Sequence, residues 1–558
     1  MDDRRWTTLY TDAVGRAEPT SAPSLTEAWR ARVARHPDAP AIAYFDTVLT
    51  AREVDELSDA LAAGFHSLGT RRGDRVGIYL QNIPQFALCL LALWKLGATG
   101  LVLNPMYRGQ ELRHLVDDAD AIGIVCADAD VPDAAATLTG SSVEWMVSTS
   151  PLAFQSRHDP RVFPDGGRRL TAAEYDLEEL IAEFRGIGPR AATQSGEDVA
   201  LLTYTSGTTG PPKGAMNTHA NLLAVTGTYA TWIELRPGDA VYAMAPLFHI
   251  TGAVINATIA LLHDALLVMT NRFDPAVAID AFREHRVTFT IGSITAFNAI
   301  AQLPHASREH FASLRSVYSG GAPIPPSTIE RFRERFGVYI HNIYGMTETS
   351  SGVIAVPLGA QAPVDEASGT LSVGVPLPGL DARVVDSSGR VLPAGEQGEL
   401  VLRGPQIVPG YWRRPEETAA AIPEGWLHTG DGAIIDAEGW VYLVDRLKDQ
   451  INTSGYKVWP REVEDTLYAH PAVHEVAVVG VPDDYRGEVV VAHVSLKAGA
   501  LAAPEELIAF ARDRLAAYKC PRVVQVVADL PKTQTGKIRR NVLREQEAAR
   551  VDPRTTRS

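Results

Sequence analysis

The chain has 558 residues, of which 46% are hydrophobic and 21% are charged. These proportions are ordinary for globular proteins and exclude wholesale disorder, and the length allows several domains because single cores stop growing near about 250–300 residues. The formal net charge of −15 argues against nucleic acid or an anionic membrane as the main partner, although a local basic patch would survive it.

Cysteine usage and hydropathy indicate a reducing, intracellular setting. Three cysteines, Cys89, Cys126 and Cys520, are too few and too scattered for a disulfide framework or a metal cluster. The apolar segment 86–94 stops at Lys95, short of the ~18 apolar residues that a membrane-spanning helix needs. The amino terminus has no signal-peptide pattern. We therefore expect a cytoplasmic protein without a transmembrane segment.

Strand-like and helix-like segments alternate through the first part of the chain. Residues 75–105 predict a strand, a helix and a second strand. Further β-branched runs follow at 121–126, 198–204, 239–245, 265–269 and 286–291. Such alternation predicts sheets covered by helices. Residues 151–196 are rich in turn formers and predict a surface excursion that contains a short acidic helix.

The pattern changes after residue 370 to short strands separated by turns, which predicts a smaller β-rich subdomain. The last hundred or so residues have strand and helix patterns of their own and predict a small α/β unit. We place the boundary between Asp445 and Asp449. This gives an amino-terminal domain of residues 1–445, a connecting segment of residues 446–449 and a carboxy-terminal domain of residues 450–558.

The stretch TYTSGTTGPPKG, residues 203–214, combines glycines and hydroxyls with a single lysine, Lys213. Glycines let backbone N–H groups approach an anion, hydroxyls add hydrogen bonds and the lysine adds charge, so the stretch predicts phosphate binding. It differs from the G-x-x-x-x-G-K-[ST] motif, because Pro212 replaces the second glycine and Gly214 follows the lysine. The alternative is a flexible surface linker.

Several later stretches carry candidate residues, each with an ordinary structural alternative. His249 in APLFHITG is, on bare residues, more often a hydrogen-bonded structural histidine than a ligand. Gly320 and Gly321 in YSGGAP permit the close approach of a flat ring or simply form a turn. Glu348 beside Thr347 in IYGMTETS suits Mg²⁺ together with nucleotide phosphates, or is a solvated loop carboxylate.

Three more stretches lie towards the carboxyl terminus. Asp431 in EGWLHTGD can accept two hydrogen bonds from a ribose diol or can cap a turn. The charges of VDRLKD, residues 444–449, ordinarily form a solvated face. Lys537 in LPKTQTGKIRR follows a Thr-Gly turn, and the alternative is a basic, exposed terminal segment.

In this order and spacing, the stretches resemble the adenylate-forming superfamily of acyl-CoA synthetases, nonribosomal-peptide adenylation domains and luciferases, and within it the acyl-CoA synthetases. The resemblance runs from about residue 25 to residue 543. It implies an α/β fold with a large amino-terminal domain of two helix-covered β-sheet subdomains plus a small β-barrel-like subdomain, followed by a small mobile α/β domain. It also implies ATP, Mg²⁺ and coenzyme A, with a carboxylic acid converted to an acyl-adenylate and then to acyl-CoA.

The resemblance assigns the nucleotide contacts motif by motif. The glycine-rich stretch closes on the β- and γ-phosphates, and the adenine lies between Tyr344 and the backbone of residues 320–323. Asp431 holds the ribose hydroxyls, and Arg446 reaches ribose or phosphate. The implied nucleotide-binding set is Thr205, Ser206, Gly207, Thr208, Thr209, Gly210, Lys213, Gly320, Gly321, Ala322, Pro323, Tyr344, Gly345, Asp431 and Arg446.

The implied catalytic set is Lys537, His249, Thr347 and Glu348. Lys537 bridges the substrate carboxylate and the α-phosphate, Thr347 contacts the α-phosphate, and Glu348 binds Mg²⁺. His249 becomes a gate between the acyl pocket and the coenzyme A tunnel.

The second half-reaction is implied to follow a rotation of the small domain about Lys448. That rotation presents a coenzyme A tunnel lined by Gly455, Tyr456 and Lys457. Asn452 departs from the lysine that many relatives carry. The implied acyl pocket consists of small to medium, uncharged residues, which favours an apolar aliphatic, cyclic or aromatic acid. Its members are Ile250, Thr251, Ser293, Ile294 and Gly320.

Other functions remain open at this point. An amide synthetase of the same superfamily would pass the acyl group to an amine, and a stand-alone adenylation domain would pass it to a carrier protein. A non-catalytic nucleotide-binding regulator is a third alternative, against which the retained Lys213, Glu348 and Lys537 argue. The sequence does not fix the acid or decide between a monomer and a homodimer.

Overall fold

The structure is a computed structural model. It describes residues 4–15, 22–164, 173–189, 193–205, 212–322, 324–365, 370–446, 449, 451–453, 456–483, 486–532 and 538–551. No helix in these ranges combines the length and the apolar character needed to cross a bilayer.

The strands, in chain order, are β1 Pro40–Tyr44, β2 Thr47–Thr50, β3 Arg75–Tyr79, β4 Thr99–Val102, β5 Ala121–Ala127, β6 Trp145–Thr149, β7 Tyr175–Asp176, β8 Val199–Thr205, β9 Lys213–Thr218, β10 Ala240–Tyr242, β11 Leu266–Met269, β12 Phe289–Gly292, β13 Ser316–Gly320, β14 Ile340–Met346, β15 Ser351–Ala355, β16 Val375–Pro376, β17 Asp381–Val385, β18 Gln397–Arg403, β19 Leu427–Ile435, β20 Val441–Arg446, β21 Ile451–Thr453, β22 Tyr456–Val458, β23 Val473–Asp483, β24 Gly487–Leu496 and β25 Val523–Val527.

The α-helices are α1 Asp12–Gly15, α2 Leu25–Arg35, α3 Ala51–Ser67, α4 Pro84–Leu96, α5 Gly109–Asp118, α6 Val131–Leu138, α7 Leu177–Glu183, α8 His219–Trp232, α9 Ile259–Leu262, α10 Pro275–Glu284, α11 Ile294–Gln302, α12 Pro326–Phe336, α13 Pro415–Ala421, α14 Pro460–Tyr468, α15 Pro504–Arg512 and α16 Arg540–Val551. Short 3₁₀ turns lie at Arg5–Leu9, Asp128–Asp130, Arg308–Phe311, Thr347–Thr349 and Pro423–Gly425, and a π-helical stretch at Gly252–Thr258.

Two large sheets form the first part of the molecule. The seven-stranded sheet has the order β7-β6-β5-β3-β4-β8-β9, parallel except for the β8–β9 pair. The nine-stranded sheet has the order β16-β15-β14-β13-β12-β10-β11-β1-β2, and its central strands are parallel. The largest hydrophobic cluster joins buried side chains of both sheets to those of α3, α4 and α8. Ligand sites of such sheets lie at the carboxyl ends of the parallel strands, so the ends of β8, β13 and β14 are candidate ligand sites.

The β-rich subdomain predicted after residue 370 is the antiparallel sheet β17-β18-β19-β20. The small α/β unit predicted at the carboxyl terminus is a sheet of β21 to β25 with α14, α15 and α16. Between them, Arg446 is still paired in register with Asp431 of β19. Asp449 instead accepts a 2.8 Å hydrogen bond from Arg544 of α16. Arg446 therefore belongs to the β-rich sheet, whereas Asp449 contacts the small α/β unit.

The segment 151–196 is less of a surface excursion than the sequence predicts. Its strand β7 extends the seven-stranded sheet, and its acidic helix α7 buries three apolar side chains. Glu178 of α7 accepts hydrogen bonds from the side chains of Gln85 at 3.1 Å and Thr149 at 2.5 Å. The predicted acidic helix is therefore present, and the sequence did not show its contacts with residues that are far apart in the chain.

Candidate active site

The first pair of predicted site residues meets at the edge of the nine-stranded sheet. Tyr344 lies near the end of β14 and is buried, and Asp431 lies on β19. The Tyr344 hydroxyl donates a 2.7 Å hydrogen bond to Asp431 Oδ2, although the two residues are 87 positions apart. An aromatic ring is thus held beside a half-exposed carboxylate, the two groups predicted for an adenine and a ribose.

Gly320 lies next to this pair at the end of β13, in register with Ile343. A Cβ atom on Gly320 would lie 2.4 Å from the Ile343 carbonyl oxygen, so any larger residue would force the two strands apart. Gly345 is equally restricted, since its Cβ would lie 2.0 Å from the Ser351 carbonyl oxygen. Gly321 has a φ of 80° with open space around it, a conformation that favours glycine. The backbone is therefore bare where the sequence predicts the adenine ring.

Glu348 follows β14 on the 3₁₀ turn Thr347–Thr349 and is buried. Its Oε1 accepts a 2.7 Å hydrogen bond from the hydroxyl of Tyr411, and its carbonyl accepts one from the N–H of Val408. No described residue donates a hydrogen bond to its Oε2. The sequence analysis did not identify Tyr411, whose only local signal is a glycine-flanked aromatic pair in PGYW.

The carboxylate of Glu348 fits the predicted Mg²⁺. Among the described residues, no three histidine, cysteine or carboxylate side chains form a group that would hold a metal ion by themselves. Mg²⁺ is commonly bound by one or two carboxylates completed by substrate phosphates and water. One buried carboxylate with an oxygen left for a cation is such a partial site.

The backbone directly after Glu348 is strained. Ser350 and Ser351 have φ values of 54° and 121°, which non-glycine residues rarely adopt. Asn217 on β9 holds this turn, because its side-chain amide donates to the Thr347 carbonyl at 3.1 Å and to the Ser350 hydroxyl at 3.0 Å. Asn217 is a second residue that the sequence analysis missed. It ties the turn that carries Glu348 to the strand that follows the glycine-rich stretch.

Thr205 and Lys213 are the two described ends of the glycine-rich stretch. Thr205 ends β8 and Lys213 begins β9, and they are paired in register. The Lys213 ammonium lies 5.2 Å from the centre of the Tyr411 ring, within the range of a cation–π contact. The stretch thus leaves the carboxyl edge of the seven-stranded sheet with its lysine directed towards the neighbour of Glu348.

His249 lies immediately before the helical segment that contains Ile250, Thr251 and the π-helical stretch Gly252–Thr258. The Thr251 N–H donates to His249 Nδ1 at 3.3 Å, which favours the tautomer with the proton on Nε2. Gly252 packs against the preceding turn so closely that a Cβ would lie 2.0 Å from the Pro246 carbonyl oxygen. π-Helical turns often occur at functional sites, and this one fixes the direction of a half-buried histidine.

The remaining acyl-pocket candidates lie at the same edge of the nine-stranded sheet. Ser293 follows β12 and caps α11, and its neighbour Gly292 is in register with Ser319, so Ser293 lies close to Gly320. Ile294 packs into the hydrophobic cluster of α11 and α12. Ile250 belongs to the cluster between the two sheets. The structure brings Ser293 and Gly320 together but buries Ile250 and Ile294 in different clusters.

Two predicted residues of the coenzyme A tunnel lie on a described strand of the small domain. Tyr456 and Lys457 form part of β22, in register with Thr453 and Asn452 of β21. Outside the described residues lie Ser206, Gly207, Thr208, Thr209, Gly210, Pro323, Lys448, Gly455 and Lys537.

Glu111 of the amino-terminal domain lies within electrostatic range of Arg539 of the small domain. Burial raises the pKa of the Glu111 carboxyl, and the positive charge of Arg539 opposes that rise. Glu111 lies in the first turn of α5, which follows β4, the neighbour of β8. Arg539 is two residues from Lys537 in the sequence.

Family models compared with the sequence decide the family. A model for AMP-binding enzymes matches residues 29–412, and a model for the AMP-binding enzyme C-terminal domain matches residues 462–537. The chain belongs to the AMP-binding enzyme family. A long-chain-fatty-acid–CoA ligase of Bacillus subtilis (strain 168) is 35% identical to this AMP-binding enzyme, over 98% of this chain and 99% of the relative.

Two solved structures extend the comparison. The anthranilate CoA ligase AuaEII, in complex with anthranoyl-AMP, matches this AMP-binding enzyme with a TM-score of 0.85 at 25% identity, over 97% of this chain and 100% of that one. The amide bond synthetase McbA from Marinactinospora thermotolerans matches with a TM-score of 0.79 at 28% identity, over 94% of this chain and 99% of that one. These findings confirm the family and the α/β fold class predicted from the sequence.

Proposed function

We propose that this protein is an AMP-forming acyl-CoA synthetase. It uses ATP to convert a carboxylic acid to an acyl-adenylate with release of pyrophosphate, and then transfers the acyl group to the thiol of coenzyme A, releasing AMP. The observation that carries the proposal is the assembly of Tyr344, Asp431, Gly320 and Glu348 at one sheet edge. These residues come from three separate motifs and supply a ring, a ribose acceptor, a bare backbone and a metal carboxylate.

In the proposed complex, the adenine stacks against Tyr344 over the bare backbone that begins at Gly320. The ribose hydroxyls donate to Asp431, whose carboxylate the Tyr344 hydroxyl already orients. Thr347 contacts the α-phosphate. The strained turn after Glu348 supports this placement, since strain of this kind is concentrated at ligand sites.

The first half-reaction joins two anions, so positive charge has to be concentrated where they meet. Bound through Glu348, Mg²⁺ would neutralise the charge that develops on the phosphates. Lys213 and the glycine-rich stretch hold the leaving pyrophosphate, and Lys537 bridges the carboxylate and the α-phosphate. Positioning and electrostatic stabilisation of this kind suffice, because phosphoryl-type transfer asks for little covalent work from the protein.

The second half-reaction requires the acyl-adenylate to face a thiol instead of pyrophosphate. We assign the connection at residues 447–448, including Lys448, as the hinge. This assignment is supported by the pairing of Arg446 with β19 on one side and the contact of Asp449 with α16 on the other. Rotation there would withdraw Lys537 and bring β21 and β22 towards His249, which separates the thiol tunnel from the acyl pocket.

The acid is apolar, either aliphatic, cyclic or aromatic. The candidate pocket residues Ile250, Thr251, Ser293 and Gly320 are uncharged and include two glycine- or serine-sized positions. Similar proteins act on a long-chain fatty acid in one case and an aromatic acid in another. The substrate of this protein therefore depends on its own pocket residues. The three cysteines are free and buried, which supports a cytoplasmic enzyme.

A pyrophosphate-release screen over aliphatic, cyclic and aromatic acids tests the proposal. We expect ATP-dependent release with a subset of acids and, when coenzyme A is added, a thioester of the same acids. Silence across a broad panel would favour a nucleotide-binding regulator. Release without thioester formation would favour the amide synthetase, an alternative kept because of the similarity to McbA. Supplying the preformed adenylate with coenzyme A or with amines separates these two acceptors directly.

A further inference from the structure

Tyr411 lies between two charged groups of the proposed adenylation site. Its hydroxyl donates to Glu348 Oε1 at 2.7 Å, and the Lys213 ammonium lies 5.2 Å from the centre of its ring. The side chain is buried, with about 8% of its surface exposed. One aromatic residue therefore contacts both the carboxylate assigned to Mg²⁺ and the lysine assigned to the leaving phosphates.

The backbone fixes Tyr411 in this place. Residues 410–412 pair with β9 through a bridge between Tyr411 and Ala215, and the Trp412 N–H donates to the Gly214 carbonyl at 2.7 Å. The Tyr411 N–H donates to the Thr418 hydroxyl at 2.9 Å. Because β9 begins at Lys213, backbone hydrogen bonds join the strand that carries this lysine to the segment that carries Tyr411.

The chemistry of the phenol suits a donor and not a titrating group. Burial, the negative charge of Glu348 and the hydrogen bond to it all raise the pKa of Tyr411 well above its usual value. The geometry makes the phenol the donor and the Glu348 carboxylate the acceptor.

We propose that Tyr411 is a positioning residue for adenylate formation. It holds Glu348 through Oε1, which would leave Oε2 for the cation, and it holds Lys213 at the end of the glycine-rich stretch. Outer-shell partners of this kind orient metal ligands, and their loss typically weakens metal binding about 10–100-fold. The inference rests on the proposed function, because Mg²⁺ and ATP are the ligands that Glu348 and Lys213 would bind.

Two substitutions separate the two contacts of Tyr411. Tyr411→Phe removes the hydroxyl and keeps the ring beneath Lys213, whereas Tyr411→Leu removes both. The matched control is Tyr442→Phe, since the Tyr442 hydroxyl also donates to a carboxylate, that of Asp436, at 3.1 Å within the β-rich subdomain. All four proteins are compared by thermal melting before any binding measurement.

The readout is ATP affinity by calorimetry with Mg²⁺ and with a chelator, together with the Mg²⁺ concentration that half-saturates ATP–pyrophosphate exchange. For Tyr411→Phe we expect a rise of about 10–100-fold in that concentration, a kcat largely restored by excess Mg²⁺ and unchanged ATP affinity in chelator. Tyr411→Leu should in addition bind ATP more weakly in chelator, because a free lysine side chain has more conformational entropy to lose.

Wild-type Mg²⁺ dependence in Tyr411→Phe would overturn the inference, as would an equal effect in Tyr442→Phe. A wild-type protein that binds no ATP would instead overturn the proposed function. If the substitutions impair folding, 3-fluorotyrosine placed at position 411 of the full chain keeps the contact. Its ¹⁹F resonance should differ between the ATP and Mg²⁺–ATP complexes, and identical resonances would contradict the inference.

Discussion

Asp431 and Tyr344 provide the sharpest test of the nucleotide site. A hydrogen bond joins their side chains, yet Asp431 is assigned to the ribose and Tyr344 to the adenine. Tyr344→Phe removes the hydroxyl that donates to Asp431 and keeps the ring assigned to the adenine. Asp431→Asn keeps the shape of the side chain and removes its charge. The two substitutions should therefore weaken ATP binding to different extents and for different reasons.

The expected magnitudes follow from the geometry. A hydrogen bond to a charged group contributes about 1.5–3 kcal/mol, and about 1.4 kcal/mol corresponds to a tenfold change in affinity. The bond from Tyr344 to Asp431 is 2.7 Å long, but Asp431 is half-buried and water can replace part of it. We expect about a tenfold loss of ATP affinity in Tyr344→Phe. Asp431→Asn weakens two ribose contacts as well, so we expect a loss of roughly a hundredfold.

Calorimetric affinities for ATP and 2′,3′-dideoxy-ATP provide the assay, with thermal melting as the control for folding. Tyr344→Phe should still prefer ATP over the dideoxy analogue, because Asp431 continues to accept from the ribose. Asp431→Asn should bind the two nucleotides almost equally. An Asp431→Asn protein that kept the preference, or a Tyr344→Phe protein that lost it, would refute the assignment of the ribose to Asp431.

Three further predictions concern the bare backbone at Gly320, the buried His219 and the proposed domain rotation. Gly320→Ala should raise the KM for ATP and lower the melting temperature, since its Cβ would lie 2.4 Å from a backbone oxygen of the next strand. The matched control is Gly188→Ala, whose Cβ would meet only a side-chain oxygen at 3.9 Å. Burial lowers the pKa of His219 to about 4 in the folded state, whereas the unfolded value is about 6.5. Between pH 6.5 and pH 4 the unfolded state therefore binds more protons than the folded state. The free energy of unfolding should therefore fall as the pH is lowered through that window. Measured with urea, the decrease in this free energy from pH 7 to pH 5 should be about 2 kcal/mol smaller for His219→Gln than for wild type. Lys537→Ala should abolish adenylate formation while leaving thioester formation from supplied adenylate largely intact. Lys448→Pro should impair the second half-reaction more than the first. Equal loss of both half-reactions in either protein would contradict the domain rotation.

The sequence predicts well those parts of the fold that have a local signal. The strand, helix and strand of residues 75–105 are β3, α4 and β4, because an unbroken apolar run between turn formers determines each element. The motif around Tyr344 and the one around Asp431 are each visible in the sequence as a few polar residues beside glycine. Their contact is not visible, since it depends on the packing of β14 against the β-rich subdomain.

Tyr411 and Asn217 show where sequence reasoning fails. Neither has a periodicity or a neighbouring polar residue that sets it apart from an ordinary strand or turn residue. Each acquires its position from a pairing between distant segments: residues 410–412 with β9 in one case, β9 with the turn after β14 in the other. Residues that act by orienting another side chain are therefore found only once the tertiary structure is known.

Charge explains why this site has to be assembled from distant parts of the chain. The acid and the α-phosphate are both anionic, yet several lysines on one turn of a helix would repel one another before any substrate arrived. In the proposed mechanism, Lys213 supplies one cation from the end of the glycine-rich stretch. The second proposed cation is Lys537 of the small domain. A cation that a separate domain delivers can be withdrawn after adenylation without disturbing the hydrophobic core of either domain. A lysine built into the sheets could not be withdrawn in this way.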